Sequence, residues 1–121
     1  MKSDPVSMLN SIAQLIYEKN GFNILAIDVQ GFSTITDYFL IAEGHVDRHL
    51  MSIAQSIIAN MEKLEEKLIH IEGLQTGDWI VLDYGPIMIH LFTAGLREKY
   101  SLERLWPDSK LVEIKIKHHV V

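Results

Sequence analysis

The chain has 121 residues, of which 48% are hydrophobic and 22% charged, a composition typical of one globular domain with a buried core. It contains no cysteine, which excludes disulfides, thiolate catalysis and cysteine-based metal sites. The net charge of −5 argues against a nucleic-acid surface, because phosphate binding needs a surplus of lysine and arginine. An acidic domain would instead suit a basic protein partner. No apolar run approaches a membrane span and the first residues lack a signal-peptide pattern, so we expect a cytoplasmic protein.

The first half of the chain predicts a helix and two strands. The helix begins at Asp4-Pro5, since Asp is a good N-cap and Pro suits the first helical position, and Asn20-Gly21 ends it. Residues 23–29 are predicted to form a strand. Residues Asp37–Ala42 are a continuous apolar run, typical of a strand that is buried on both faces.

A long helix is predicted next, from about Asp47 to Lys67, because its apolar residues recur with a period of 3.6. A short strand near Leu68–Ile71 follows. Two apolar segments within residues 79–92 then flank a tight Gly85-Pro86 turn and predict a β-hairpin.

The end of the chain predicts a helix from about Gly95 to Leu105, which closes a domain over residues 1–106. The tail, residues 107–121, alternates apolar and charged residues and is a possible edge strand. Together these elements predict an α/β fold with a single mixed β-sheet of about five strands and helices packed on it. Exposed strand edges can pair with a second copy, so a homodimer is possible.

Aromatic and charged residues in the hairpin suggest a function. Trp79, Val81 and Asp83 share one face of their strand because side chains alternate. In the simpler interpretation, the Trp is half-buried at a strand end and the Asp makes a hydrogen bond in the turn. In the other, the two residues belong to a protein-binding face, since Trp and Tyr are enriched among the residues that anchor interfaces.

His90 lies on the same face of the second hairpin strand as Met88 and Phe92. A histidine among apolar residues is more often a hydrogen-bonded core residue than a ligand or base. If the turn is tight, Asp83 and His90 become cross-strand neighbours, and such a pair would fit a structural bond or half of an acid/base site. We expect no metal site, since no H-x-x-x-H helical pair with a third ligand occurs, and no cofactor, since phosphate-binding glycine loops are absent.

The last predicted helix carries Arg97, Tyr100 and Arg104 at i, i+3 and i+7. This spacing fits an amphipathic helix with a solvated basic stripe. It also fits part of a docking surface together with the nearby aromatic residues.

A set of short motifs runs from about Leu9 to Trp106. They are Asp28 with Asp37–Ala42, Arg48-His49, Glu72-Gly73, Gly77–Trp79 with Leu82–Gly85, His90 with Phe92, and Arg97 with Tyr100, Leu102-Glu103 and Leu105-Trp106. Each motif is weak by itself, but their order and spacing make a strong signal, and in them the chain resembles the ribosomal silencing factor family (RsfS, also called Iojap). Three positions depart from the family pattern: Pro86 replaces a polar or acidic residue, Gly95 replaces a Glu, and Val46 replaces a Ser, which leaves Asp47 as the expected helix cap.

The resemblance implies a nucleotidyltransferase-like fold that is catalytically empty, in agreement with the absence of an adjacent D-x-D pair. It also implies binding to the large ribosomal subunit through ribosomal protein fourteen at the intersubunit face, which blocks small-subunit joining when nutrients are short. The alternatives are an adaptor for large-subunit assembly or a nucleotidyl- or phosphoryl-transfer enzyme. The partner-binding residues that it implies are Trp79, Asp83, Tyr84, Pro86, Met88, His90, Arg97 and Tyr100.

Overall fold

The computed structural model describes residues 1–95 and 110–118 of the chain. These residues contain two helices and six strands. In chain order they are α1 (Pro5–Glu18), β1 (Phe22–Asp28), β2 (Tyr38–Gly44), α2 (Asp47–Lys63), β3 (His70–Glu72), β4 (Trp79–Asp83), β5 (Ile87–Thr93) and β6 (Lys110–Val112). The strands form one mixed sheet in the order β3-β4-β5-β2-β1-β6, in which only β2 and β5 are parallel. The predicted α/β class is confirmed, with six strands where about five were expected.

Helix α1 begins and ends as its sequence predicts. The Asp4 carboxylate accepts the Ser7 backbone N–H at 3.0 Å, and Pro5 occupies the first turn, where its missing N–H leaves no bond unmade. At the other end Asn20 has a positive φ of 66° and Gly21 donates its N–H to Ile16 at 2.8 Å. These two features are those of a Schellman cap, which satisfies carbonyls of the last turn.

Helix α2 differs from its prediction at both ends. Val46, not Asp47, is the N-cap and makes no side-chain cap bond. Asp47 is the first helical residue, where its charge still favours the helix dipole. The helix stops at Lys63 rather than near Lys67, because Glu65 adopts a positive φ of 58° and the Glu66 N–H bonds back to Met61 at 3.0 Å. Backbone capping therefore overrides the apolar periodicity there.

The two helices pack on one face of the sheet, and that face holds the larger core. Helix residues such as Ile12 and Ile57 meet alternate strand residues such as Leu40 and Ile89, all of them fully buried. The opposite face carries a second buried cluster, made of Ile27, Val29, Phe39, Ile41 and Phe92. Strand β2 contributes to both clusters, which confirms that it is buried on both faces.

The turn of the β4–β5 hairpin is fastened to the loop before β2. Gly85 has a φ of +94°, which glycine tolerates without strain. The buried Thr36 hydroxyl donates to the Gly85 carbonyl at 2.8 Å, and the Tyr38 backbone N–H donates to the Pro86 carbonyl at 3.0 Å. These bonds fix the end of the hairpin relative to the central strand.

The helix predicted from Gly95 to Leu105 lies outside the described residues except for Gly95, so it stays a prediction, as does the domain boundary after residue 106. Within residues 1–95 and 110–118, no helix is both long and apolar enough to cross a bilayer.

Candidate docking surface

Four of the predicted binding residues lie together on the sheet face that points away from the helices. On β4 and β5, the residues Ile80, Leu82, Ile87, Ile89 and Leu91 pack in the core under the helices. Because strand side chains alternate, the residues between them face the other way. We call four of these residues, Trp79, Asp83, Met88 and His90, the Trp79 surface.

Trp79 is held by aromatic packing and by its indole N–H. Its ring stacks on that of Phe92 with the centroids 5.1 Å apart, and its Nε1 donates to His90 Nδ1 at 3.1 Å. The residue stays half-buried, as the simpler interpretation predicts. Its backbone is also fixed, because Gly73, with a φ of +87°, lies so close that an added Cβ would overlap the Trp79 carbonyl oxygen. The indole is thus presented with little freedom to lose on binding.

His90 is the buried partner of this tryptophan, with 6% of its surface exposed. Phe39 meets it edge-on at 5.1 Å, and burial lowers the pKa of His90 to about 4. The imidazole is therefore neutral near neutral pH. Since the Trp79 N–H can only donate, Nδ1 accepts and the proton resides on Nε2, which has no partner among the described residues. His90 is a hydrogen-bonded core histidine that orients Trp79.

Asp83 makes the turn hydrogen bond that the simpler interpretation predicts. Its Oδ1 accepts the Gly85 N–H at 2.8 Å, which fixes the carboxylate at the end of β4. The side chain remains partly exposed. It therefore presents a negative charge in a defined position beside the apolar Met88, which faces it across the hairpin.

The predicted cross-strand pair of Asp83 with His90 is wrong. In the observed register Asp83 faces Met88, and His90 faces Val81. The hairpin is tight, with Tyr84 bonded to Ile87 at 3.0 Å, but this register places the two polar residues diagonally. Asp83 bonds Gly85 and His90 bonds Trp79, so the two side chains do not form the predicted pair.

Tyr84 and Pro86 are not part of the Trp79 surface. Tyr84 is 3% exposed and belongs to the core beneath the helices, and burial raises its pKa to about 12. It therefore supports the strand rather than lining the Trp79 surface. Pro86 forms the turn itself, at the end of the surface, and is partly exposed. Arg97 and Tyr100 lie outside the described residues.

His70, which the sequence interpretation did not single out, lies beside Asp83 on the neighbouring strand. His70 on β3 faces Asp83 across the strands, and its Nε2 lies 2.9 Å from a carboxylate oxygen of Glu72. Both side chains are exposed. The alternation of polar and apolar residues in His70–Glu72 could have indicated that His70 is exposed. A strand of three residues is too short for such alternation to be distinctive.

The histidine pair at the start of α2 is engaged by the backbone. The rings of His45 and His49 stack at 5.2 Å, while His49 bonds the His45 N–H at 3.0 Å and the Lys19 carbonyl at 2.7 Å. Across the part of the chain that the structure describes, no three histidine or acidic side chains are grouped so as to hold a metal ion.

Comparison with known proteins gives a consistent result. The family model described as "Ribosomal silencing factor during starvation" (RsfS) matches residues 2–120. The ribosomal silencing factor RsfS of Bacillus subtilis is 32% identical over 108 residues, which cover 89% of this chain and 92% of that protein. A mouse protein named "Mitochondrial assembly of ribosomal large subunit protein 1" is 31% identical over 88% of this chain, but the match spans only 50% of its own length.

The fold comparison agrees with the sequence comparisons. A crystal structure of a Bacillus halodurans protein aligns with a TM-score of 0.79 and 25% identity, covering 89% of this chain and 98% of that one. The resemblance found in the sequence is confirmed, and the chain belongs to the ribosomal silencing factor (RsfS) family.

Proposed function

We propose that this protein binds the large ribosomal subunit through ribosomal protein fourteen, at the intersubunit face, and blocks joining of the small subunit. Translation would thereby be repressed under nutrient limitation, in the cytoplasm. The observation that carries the proposal is the Trp79 surface, which combines an aromatic ring, a thioether and a carboxylate on two adjacent strands. Family membership supports the ribosomal role, and the Trp79 surface supplies side chains that can bind a protein partner.

The Trp79 surface has the properties of an interface centre. Trp is among the residues that most often dominate binding energy, and here its ring is stacked and hydrogen-bonded before any partner arrives. The surface lies on strands rather than loops, so its side chains hold their positions. Met88 adds an adaptable apolar contact next to the rigid indole.

Charge favours a basic partner. Asp83 uses one carboxylate oxygen for the turn, and the other has no bond to the described residues, so it can accept from a lysine or arginine. The net charge of −5 acts in the same direction, because complementary charge speeds encounter.

The mechanism needs only binding. A 13.8 kDa domain seated on the subunit interface occupies space that the small subunit must enter. The block is then steric, and its strength is set by the occupancy of the large subunit. No group on the surface has to act as an acid, base or nucleophile.

Co-sedimentation with separated subunits tests the proposal. We expect the protein to pellet with large subunits, not with small ones, and to bind purified ribosomal protein fourteen directly. Binding to large subunits without binding to that protein would refute the proposed contact while leaving a ribosomal role. Failure to bind large subunits would refute the function.

The mouse relative favours one alternative, because its name refers to assembly of the ribosomal large subunit. In that function this chain would bind assembling large subunits and leave mature ones free. The same sedimentation experiment with mature and precursor large subunits separates the two functions.

A further inference from the structure

Apolar side chains are exposed at the end of the hairpin, next to the Trp79 surface. Ile35, in the loop before β2, is 63% exposed, and Ile69, just before β3, is 60% exposed. They flank the hairpin turn on its two sides: Ile35 shares a shallow cleft of about 170 Å³ with Pro86, and the Ile69 Cδ1 lies 3.3 Å from where a Cβ on Gly85 would be. We call Ile35, Ile69 and Pro86 the tip patch.

The backbone of the tip patch is held by hydrogen bonds, although Ile35 and Ile69 are exposed and Pro86 is partly exposed. The Ile35 N–H bonds the Ser33 hydroxyl at 3.1 Å, and the next residue, Thr36, is buried and bonded to Gly85 at 2.8 Å. On the other side the Ile69 N–H donates to the Asp83 carbonyl at 2.8 Å. Because this backbone is already ordered, a partner that covers these side chains pays for their rotamer freedom but not for ordering the chain.

We infer that the tip patch is a second apolar contact with the same ribosomal protein that the Trp79 surface binds, an inference that rests on the proposed function. The two surfaces meet at the hairpin turn, because the Asp83 side chain accepts the N–H of Gly85, which directly precedes Pro86 of the tip patch. A stable protein interface buries roughly 800 Å² on each partner, or about 20–30 residues, so the four residues of the Trp79 surface must be joined by their neighbours.

Charge identifies the kind of partner surface. Asp37 lines the cleft beside Ile35, and Asp83, on the Trp79 surface, bonds Gly85 of the turn next to Pro86. Among the described residues that line this cleft there is no lysine or arginine. The tip patch therefore fits an apolar residue of a basic protein, flanked by its lysine or arginine side chains.

The test measures binding to purified ribosomal protein fourteen by calorimetry. The double substitution Ile35→Ser with Ile69→Ser should weaken binding by about tenfold or more, because two apolar side chains no longer become buried. The matched control is Leu64→Ser with Leu111→Ser. Its residues are also exposed, but Leu64 follows α2 and Leu111 lies on β6, at the far edge of the sheet. We expect the control to bind like the wild type and both variants to melt at the wild-type temperature.

A charge swap sharpens the test. Ile35→Lys should bind more weakly than Ile35→Glu if the partner surface is basic. Equal affinity of the tip and control variants, or a Lys variant that binds as well as the Glu variant, would overturn the inference. If the wild type binds and Trp79→Ala does not, such a result leaves the proposed function standing. If the wild type itself does not bind, the proposed function fails and the inference falls with it.

Discussion

Because His90 is buried, we expect the free energy of unfolding to fall by a calculable amount as the pH falls. The pKa of His90 is lowered to about 4 in the folded protein, against 6.5 in the unfolded chain, because the imidazole is desolvated among aromatic rings. Between these values the unfolded chain binds a proton that the folded chain excludes, so stability is complete above the unfolded pKa and falls as the pH falls towards the folded one. Each pH unit below 6.5 removes about 1.36 kcal/mol from the free energy of unfolding, so at about pH 5 this residue has removed about 2 kcal/mol.

The assay is urea unfolding of the wild type and His90→Asn at about pH 7 and about pH 5. Asn does not titrate, and its side-chain oxygen can replace Nδ1 as the acceptor for Trp79. The substitution lowers stability at both pH values, but the wild type should lose about 2 kcal/mol more than the variant between them. The other five histidines are common to both proteins and cancel in the comparison. Equal losses would show that His90 is not buried in its neutral form.

Three further substitutions test separate parts of the structure. Gly73→Ala should lower the free energy of unfolding, measured by thermal denaturation, by at least about 1 kcal/mol more than Gly31→Ala does. Both glycines have a positive φ, but only at Gly73 would the new Cβ meet a carbonyl oxygen. Equal losses would contradict the close approach. Thr36→Val should lower the free energy of unfolding by about 1–3 kcal/mol, because it removes the buried hydroxyl bond to the hairpin turn. Thr34 is exposed, so Thr34→Val should leave the free energy of unfolding nearly unchanged in the same experiment. Asp83→Asn keeps an acceptor for the turn but removes the charge, so large-subunit affinity should fall by about 2–5 kcal/mol with unchanged melting; unchanged affinity would exclude a charge pair there.

Local signals in the sequence predicted much of the fold. The Asp4-Pro5 start and the Asn20-Gly21 end of α1 depend on bonds within a few residues, and both predictions are confirmed. The continuous apolar run of β2 correctly indicated burial on both faces, because it contributes residues to both clusters. The prediction for the end of α2 was wrong. The chain turns at Glu65, which has a positive φ, and a residue other than Gly or Asn in that conformation has no distinctive sequence signal.

The surface was harder to predict because it depends on register. Which face Trp79 and Asp83 share follows from alternation, but whether His90 meets Asp83 or Trp79 depends on which residues pair across the strands. Strand order is also non-local: β5 pairs with β2, and no short-range pattern specifies that. Ile35 and Ile69 are ordinary apolar residues in the sequence, and only the fold shows that they flank the same turn as exposed side chains.

Subunit joining tests the central claim most directly. Purified large and small subunits are mixed with the wild-type protein or with Trp79→Ala, and the assembled fraction is read on a sucrose gradient. We predict that the wild type shifts assembled ribosomes to free subunits and sediments with the large one, while a folded Trp79→Ala variant does neither. Undiminished joining in the presence of the folded wild type would contradict steric silencing, and equal inhibition by the variant would contradict the Trp79 surface.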